Sequence, residues 1–267
     1  MLSFKSAALM TLLYIVLSTL AGGVLSVLVA ASLTIALLSR IVQHLVSLSV
    51  GVLLGTALLH VLPEAFESKV DPHRLFMTLL GGLLFFFLLE KAELYRHGHH
   101  HEGDGHHHHH DFDASQAGRG GWSVLVGDSI HNFCDGIIIA AAFLADTQLG
   151  LVTSVAIIAH EIPQEVGDYI VLLNAGFSRG KALLYNAISG LASVVGGVLG
   201  YFIVGPWEAL FPYLLVAASS SFVYVAVADL LPQLQQRLPL RSTLAQLGWI
   251  GAGLMLVTVV KGWLHAG

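Results

Sequence analysis

The chain of 267 residues is 55% hydrophobic and only 11% charged, with a mean hydropathy of +0.77 and a formal net charge of -5. A soluble domain carries about 25% charged residues, so this composition excludes an ordinary globular protein and places the chain in a membrane. Its Lys and Arg residues form no basic stretch, which excludes a nucleic-acid partner, and its one cysteine, Cys134, excludes an intramolecular disulfide.

A membrane-spanning helix needs about 20 mostly apolar residues. Eight stretches qualify in chain order: Ala7 to Leu38, Leu45 to Leu62, Leu75 to Leu89, Trp122 to Ala145, Leu149 to Leu173, Ala182 to Val204, Leu210 to Leu231 and Leu244 to Val260. The runs are continuous rather than alternating and contain glycine, which fits packed helices and not strands. The expected fold is therefore all-α: one integral membrane domain over residues 1–267 with eight transmembrane helices. The first span is overlong and the third and eighth are short.

Loop charge orients this arrangement. The loops after spans one, three, five and seven hold Arg40, then Lys91, Arg96 and Arg119, then Arg179 and Lys181, then Arg237 and Arg241; the opposite side has Lys5, Lys69, Arg74 and Lys261. The positive-inside rule then places both termini outside the cytoplasm. The apolar stretch after Lys5 lacks a small-residue cleavage site and exceeds a signal-peptide core, so it is expected to be the first span.

Between spans three and four, about residues 96–121, lies the low-complexity segment. His97, His99, His100, His101, His106, His107, His108, His109 and His110 alternate there with Gly, Glu and Asp. Such a tract cannot bury enough apolar surface to fold alone and is expected to be a cytoplasmic loop. Clustered neutral imidazoles bind Zn, Cu, Ni or Fe reversibly, so loop metal binding is expected.

The fourth span carries Asp128, His131, Asn132 and Asp135, and the fifth carries His160, Glu161, Gln164, Glu165 and Asp168, with no Lys or Arg in either span. At 100° per residue the first set falls within roughly 100° of arc and the second within roughly 140°. The short connection from Asp146 to Leu149 makes the helices antiparallel neighbours, so the two polar stripes can face each other. A carboxylate at the centre of a bilayer costs roughly 2.5 to 3.5 kcal/mol on insertion scales, so these acids require a cationic or aqueous counterpart. A metal ion is the expected one. Imidazole and carboxylate together suit Zn, and amide oxygens extend the range to Fe, Mn, Co or Cd.

Pro163 falls inside the fifth stripe and removes the donor that would bond the Ala159 carbonyl, leaving an oxygen of use to a cation. His60 near the end of span two and Asp229 near the end of span seven are accessory candidates for the pathway, together with Asp128, Glu165 and Asp168. Cys134 lies about 60° outside the fourth-span stripe, where packing is its expected role.

The run His131-Asn132-Phe133-Cys134-Asp135-Gly136, with His160-Glu161-Ile162-Pro163-Gln164-Glu165-Val166-Gly167-Asp168, resembles the paired motifs HNFxDG and HExPHEvGD of the ZIP (Zrt/Irt-like) metal transporters. The stretch from Gly51 to Pro63, Glu90-Lys91, the His-rich loop and Tyr224 to Pro232 extend the resemblance over nearly the whole chain. It implies an eight-helix transporter, often homodimeric, that moves divalent metal towards the cytoplasm. Carried over by position, His131, Asn132 and Asp135 match the fourth-span ligands, and His160, Glu161 and Gln164 match the fifth-span ligands. Gln164 departs from the motif, which has histidine there. Span six reads Ser189-Gly190-Leu191-Ala192-Ser193-Val194, where other branches have a Glu within a sequence like SGLxEP, so a full second metal site of that kind is not expected.

The expected function is transport of zinc, with Fe, Mn, Co or Cd as alternative cargo and no bound cofactor. Alternating access would operate around His131, Asp135, His160 and Gln164, with Asn132 and Glu161 nearby. The expected location is the cell (inner) membrane, or an organelle membrane in a eukaryote. A membrane metal sensor or scaffold is the alternative. A membrane metallohydrolase is disfavoured because His160-Glu161-Ile162-Pro163-Gln164 lacks the second histidine of the H-E-x-x-H motif.

Overall fold

The computed structural model describes residues 2–32, 35–97, 114–235 and 239–266, and these residues form helices and connections with no strand. Helix α1 (Leu2–Leu20) widens into a π turn at Ala21–Leu25 and continues as α2 (Ser26–Ser32). Helix α3 (Ile35–Thr56) passes through a second π turn, Ala57–Val61, into α4 (Leu62–Phe66). Four long helices follow: α5 (Pro72–His97), α6 (Ala114–Ala145), α7 (Thr147–Asn174) and α8 (Arg179–Val204). Helix α9 (Phe211–Tyr224) continues through a third π turn, Val225–Leu230, into α10 (Leu231–Leu234), and α11 (Leu240–Ala266) completes the bundle.

Seven helical segments among the described residues are long and apolar enough to cross a membrane. Helix α7 is not one of them, because the polar residues from His160 to Asp168 lower its hydropathy. The seven segments make this a multi-pass membrane protein. Two sequence expectations need correction. The first span does not reach Leu38: α2 ends at Ser32, and Ile35 already begins α3. The connection between α6 and α7 is not four residues but Asp146 alone. Its extended backbone breaks the helix, and its carboxylate accepts hydrogen bonds from Gln148 N at 2.9 Å and Leu149 N at 3.0 Å. A side chain that caps the first turn in this way lets one residue reverse the chain.

The span of α3 and α4 is central, with 72% of its apolar window buried, whereas those of α5 and α11 are peripheral at 11% each. Outward-facing Leu80, Leu84, Leu88, Leu244 and Met255 on α5 and α11 therefore belong to lipid rather than to core. Helices α6 and α8 approach closely enough that their glycines admit no side chain. A Cβ on Gly136 would stand 1.9 Å from the Ser193 carbonyl oxygen, and one on Gly196 would stand 2.1 Å from that of Phe133. Small-residue packing is how membrane helices gain dispersion contacts when lipid removes the hydrophobic incentive to associate. It also fixes the depth and rotation of α6, the helix that carries half of the polar stripe.

Candidate metal centre

The one-residue reversal at Asp146 folds α7 back along α6 and brings the two stripes face to face near the middle of each helix. Four side chains converge: His131 and Asp135 from α6, one turn apart, and His160 and Glu161 from α7. One donor atom from each lies within 4.8 Å of all the others. His131 Nε2 is 3.3 Å from His160 Nε2, and His160 Nε2 is 3.2 Å from Asp135 Oδ2 and 3.6 Å from Glu161 Oε1. His131 Nε2 is 3.8 Å from both Asp135 Oδ2 and Glu161 Oε1. Donors about 2.0 to 2.2 Å from a tetrahedral zinc stand about 3.3 to 3.6 Å from one another. The observed spacings bracket that interval, so the four atoms could close on one small ion with shifts of a few tenths of an ångström.

Burial sharpens this reading. Asp135, His160 and Glu161 are buried, and both carboxylate oxygens of Glu161 lack a hydrogen-bond partner among the described residues. Acids in such surroundings are normally satisfied by donors, because an unpaired buried charge is costly. Two carboxylates and two neutral imidazoles would exactly neutralise a divalent cation, and the nitrogen donors favour zinc over calcium or magnesium, which prefer oxygen ligands. His160 is oriented by its second nitrogen, Nδ1, which lies 3.2 Å from the Ala156 carbonyl and leaves Nε2 aimed into the cluster.

Asn132 and Gln164, expected among the ligands, are placed differently. Asn132 Nδ2 donates to Asp128 Oδ1 at 3.0 Å, and Gln164 Nε2 donates to the same oxygen at 3.1 Å. Ser189 Oγ of α8 donates to Asp128 Oδ2 at 2.5 Å. Both carboxylate oxygens of Asp128 thus accept from protein donors beside the four-donor cluster. Glu161, assigned a neighbouring role, stands among the four donors, while Gln164, assigned a primary one, turns to Asp128. Ser189 was missed by sequence reasoning. Asn186, Ser189 and Ser193, at i, i+3 and i+7 on span six, form a polar face that could have revealed it.

The expectation that Pro163 offers the Ala159 carbonyl to a cation is also corrected. Ser49 Oγ of α3 lies 2.6 Å from that oxygen and 2.9 Å from the Leu45 carbonyl, so a side chain from a neighbouring helix meets the freed group. Glu165, one turn beyond Glu161, is fully buried with neither carboxylate oxygen hydrogen-bonded among the described residues, and Asn186 Nδ2 donates to its backbone carbonyl at 3.2 Å. Asp168 is half-buried on the same helix. His60 is buried in the π turn Ala57–Val61, and Asp229 is exposed in the turn Val225–Leu230, where it accepts from Gln233 Nε2 at 3.1 Å. Cys134 is half-buried and not among the four donors. Of the loop histidines, His97 ends α5, and His99, His100, His101, His106, His107, His108, His109 and His110 lie outside the described residues.

Residues 6–106 and 91–261 match the family described as ZIP Zinc transporter, which covers most of the chain. The chain belongs to the ZIP zinc transporter family. Among known ZIP proteins, zinc transporter ZIP13 of Pongo abelii is 31% identical over 235 residues, which is 81% of this chain and 66% of that protein. Human zinc transporter ZIP6 is 42% identical over 113 residues, 42% of this chain but 15% of ZIP6. Human ZIP4 is 40% identical over 111 residues, 42% of this chain and 17% of ZIP4. The match to ZIP6 and ZIP4 therefore spans only a minor part of their length.

Proposed function

We propose that this protein carries divalent metal ions, zinc foremost, across a membrane towards the cytoplasm, holding each ion between α6 and α7. The observation that carries this reading is the set of four convergent donors, His131, Asp135, His160 and Glu161, three of them buried and two of them acids in an apolar bundle. A bound dication compensates two carboxylates that no lysine or arginine of either span can meet. The names of the related zinc transporters support the same cargo.

In this reading Asn132 and Gln164 hold Asp128 in place beside the ion and contribute oxygen when the metal moves off the four-donor position. Glu165 and Asp168 continue the acidic face of α7 along the pathway, with His60 and Asp229 as outlying contacts and the His-rich loop receiving metal on the cytoplasmic side. Alternating access has a structural basis in the packing. Tight glycine contacts join α6 to α8 into one block, while π turns in the rods that begin with α1, α3 and α9 supply places where backbone hydrogen bonding can rearrange. Eight spans, both termini outside the cytoplasm, a homodimer and a place in the cell (inner) membrane complete the proposal, with α7 crossing as the fifth span because its polar face is enclosed by neighbours. Iron, manganese, cobalt and cadmium are the competing cargoes, and no catalytic step is assigned.

Uptake by the purified protein in liposomes tests the reading, with Zn, Fe, Mn, Co and Cd compared across pH. Saturable zinc uptake that disappears on replacing His131 and His160 by alanine is expected. Correctly inserted protein that binds zinc yet moves none would instead make it a sensor.

A further inference from the structure

Away from the metal cluster, a cavity of about 420 Å³ opens between α5, α6 and α9. Its floor is Gly81 and Gly82 of α5, and Ile138 and Ala217 contribute to its walls. The polar side chains at its edge are Thr78, whose hydroxyl donates to the Arg74 carbonyl at 3.0 Å, and the half-buried Cys134. A wall with so little free hydrogen-bonding capacity selects an apolar occupant. The volume falls within the roughly 300 to 1,000 Å³ of small-molecule sites.

Shape and charge identify the occupant. From Thr78 to Phe86 the slot runs about 12 Å along α5 at 1.5 Å per residue. One leaflet of a bilayer contributes about half of a 30 Å hydrocarbon core, so the slot has the length of a single acyl chain in one leaflet. Arg74 stands one turn before Thr78, at the start of the span, and is exposed. Arg74, Thr78, Gly81 and Phe85 fall within roughly 60° of one helical face. A guanidinium in line with an apolar slot, about 6 Å beyond its end, matches a phosphate joined to an acyl chain. Asp71, the nearest acid in sequence, is turned to the helix start, where its Oδ1 accepts from His73 N at 3.2 Å.

We propose that this slot is a phospholipid site, with one acyl chain lying over Gly81 and Gly82 against α6 and the phosphate held by Arg74. The chain would touch Cys134 and Ile138 on the helix that carries His131 and Asp135, so the bilayer would bear directly on the metal-holding helix. A phospholipid carrying a diazirine midway along one acyl chain tests the site in vesicles of phosphatidylethanolamine and phosphatidylglycerol, with the label located by peptide mass spectrometry. Label is expected on residues 78–86 and 134–141. Gly81→Phe adds bulk at the slot, and nothing stands within 4 Å of the Cβ it introduces. That variant should lower labelling there by roughly threefold or more while labelling on α11 stays constant. Arg74→Gln, at an exposed position, should lower the same labelling without closing the slot. Equal labelling in all three proteins overturns the proposal. So does a dimer cross-linked through Cys134 by a short bis-maleimide, which would show that a second copy covers the slot.

Discussion

Two carboxylates on α6 lie about two turns apart and have opposite surroundings. Asp128 is surrounded by donors from three helices: Asn132, Gln164 and Ser189. Asp135 faces two imidazoles and a second acid, with no amide or hydroxyl donor to its carboxylate among the described residues. Both are buried. The protein has already satisfied the first and has left the second for something else to satisfy. In the proposed reading, a buried acid that already accepts from several donors contributes to structure, whereas one facing ligand-type atoms at metal spacing is kept for a cation.

Removing a donor from the incomplete cluster is the most severe way to test this contrast. His160→Ala and Asp135→Ala should each weaken zinc uptake by about 100-fold or more, since even outer-shell partners of metal ligands are worth 10- to 100-fold. Both proteins should remain folded, because the inter-helix polar contacts that each substitution removes run to other members of the cluster, His131 among them. Uptake kinetics together with a thermal-shift assay check this. Near-normal uptake in both variants would make the cluster structural.

The saturated cluster should respond differently. Ser189→Ala removes one donor from Asp128 and leaves that acid partly unsatisfied, at a cost of about 1 to 3 kcal/mol in stability. Zinc affinity should change by no more than about tenfold, the lower end of what an outer-shell partner contributes. A loss of affinity equal to that of Asp135→Ala would place Asp128 on the ion and erase the distinction between the two regions. Zinc titration and unfolding measured on the same protein separate these outcomes.

Gln164→His sharpens the comparison by restoring the residue that the related motif carries. Imidazole prefers zinc more strongly than an amide oxygen does, so the variant should tighten zinc binding and shift competition towards Zn over Mn if position 164 can reach the ion. The hydrogen bond from Gln164 to Asp128 at 3.1 Å sets the competing expectation that the side chain stays turned away. A shift in zinc-versus-manganese preference of about threefold or more would show that the amide leaves Asp128 during the cycle. A slower maximal rate should accompany it, because a more tightly held ion must escape a deeper well.

Composition and run length sufficed for the helical membrane class, and helical spacing sufficed to place His131, Asp135, His160 and Glu161 on facing stripes. These features are local or periodic, and a sequence displays both. The allocation of Gln164 and Glu161 was not legible, since both lie on the α7 stripe and only the register of α7 against α6 decides which one meets Asp128. Ser49 was equally hidden: its partner, the Ala159 carbonyl, is 110 residues away, and the need for a donor was visible while its source was not. The end of the first span failed for another reason. The sequence remains apolar across Ser32 and Ile35, so hydropathy has no marker where one rod stops and the next starts.

The His-rich loop should give the smallest effect and therefore sets the limit of the contrast. Replacing its nine histidines, from His97 to His110, with serine removes every imidazole between α5 and α6 without touching the four donors. If the membrane cluster alone sets affinity, the apparent Michaelis constant for zinc should stay within about twofold, because loop imidazoles bind reversibly and compete only after release. The change should appear instead in how much zinc the purified protein retains after dialysis, which should fall. Uptake in liposomes and metal content by mass spectrometry separate the two quantities. Complete loss of uptake by a correctly inserted protein would mean that metal must pass through the loop to leave. The tract would then share the role assigned here to His131, Asp135, His160 and Glu161.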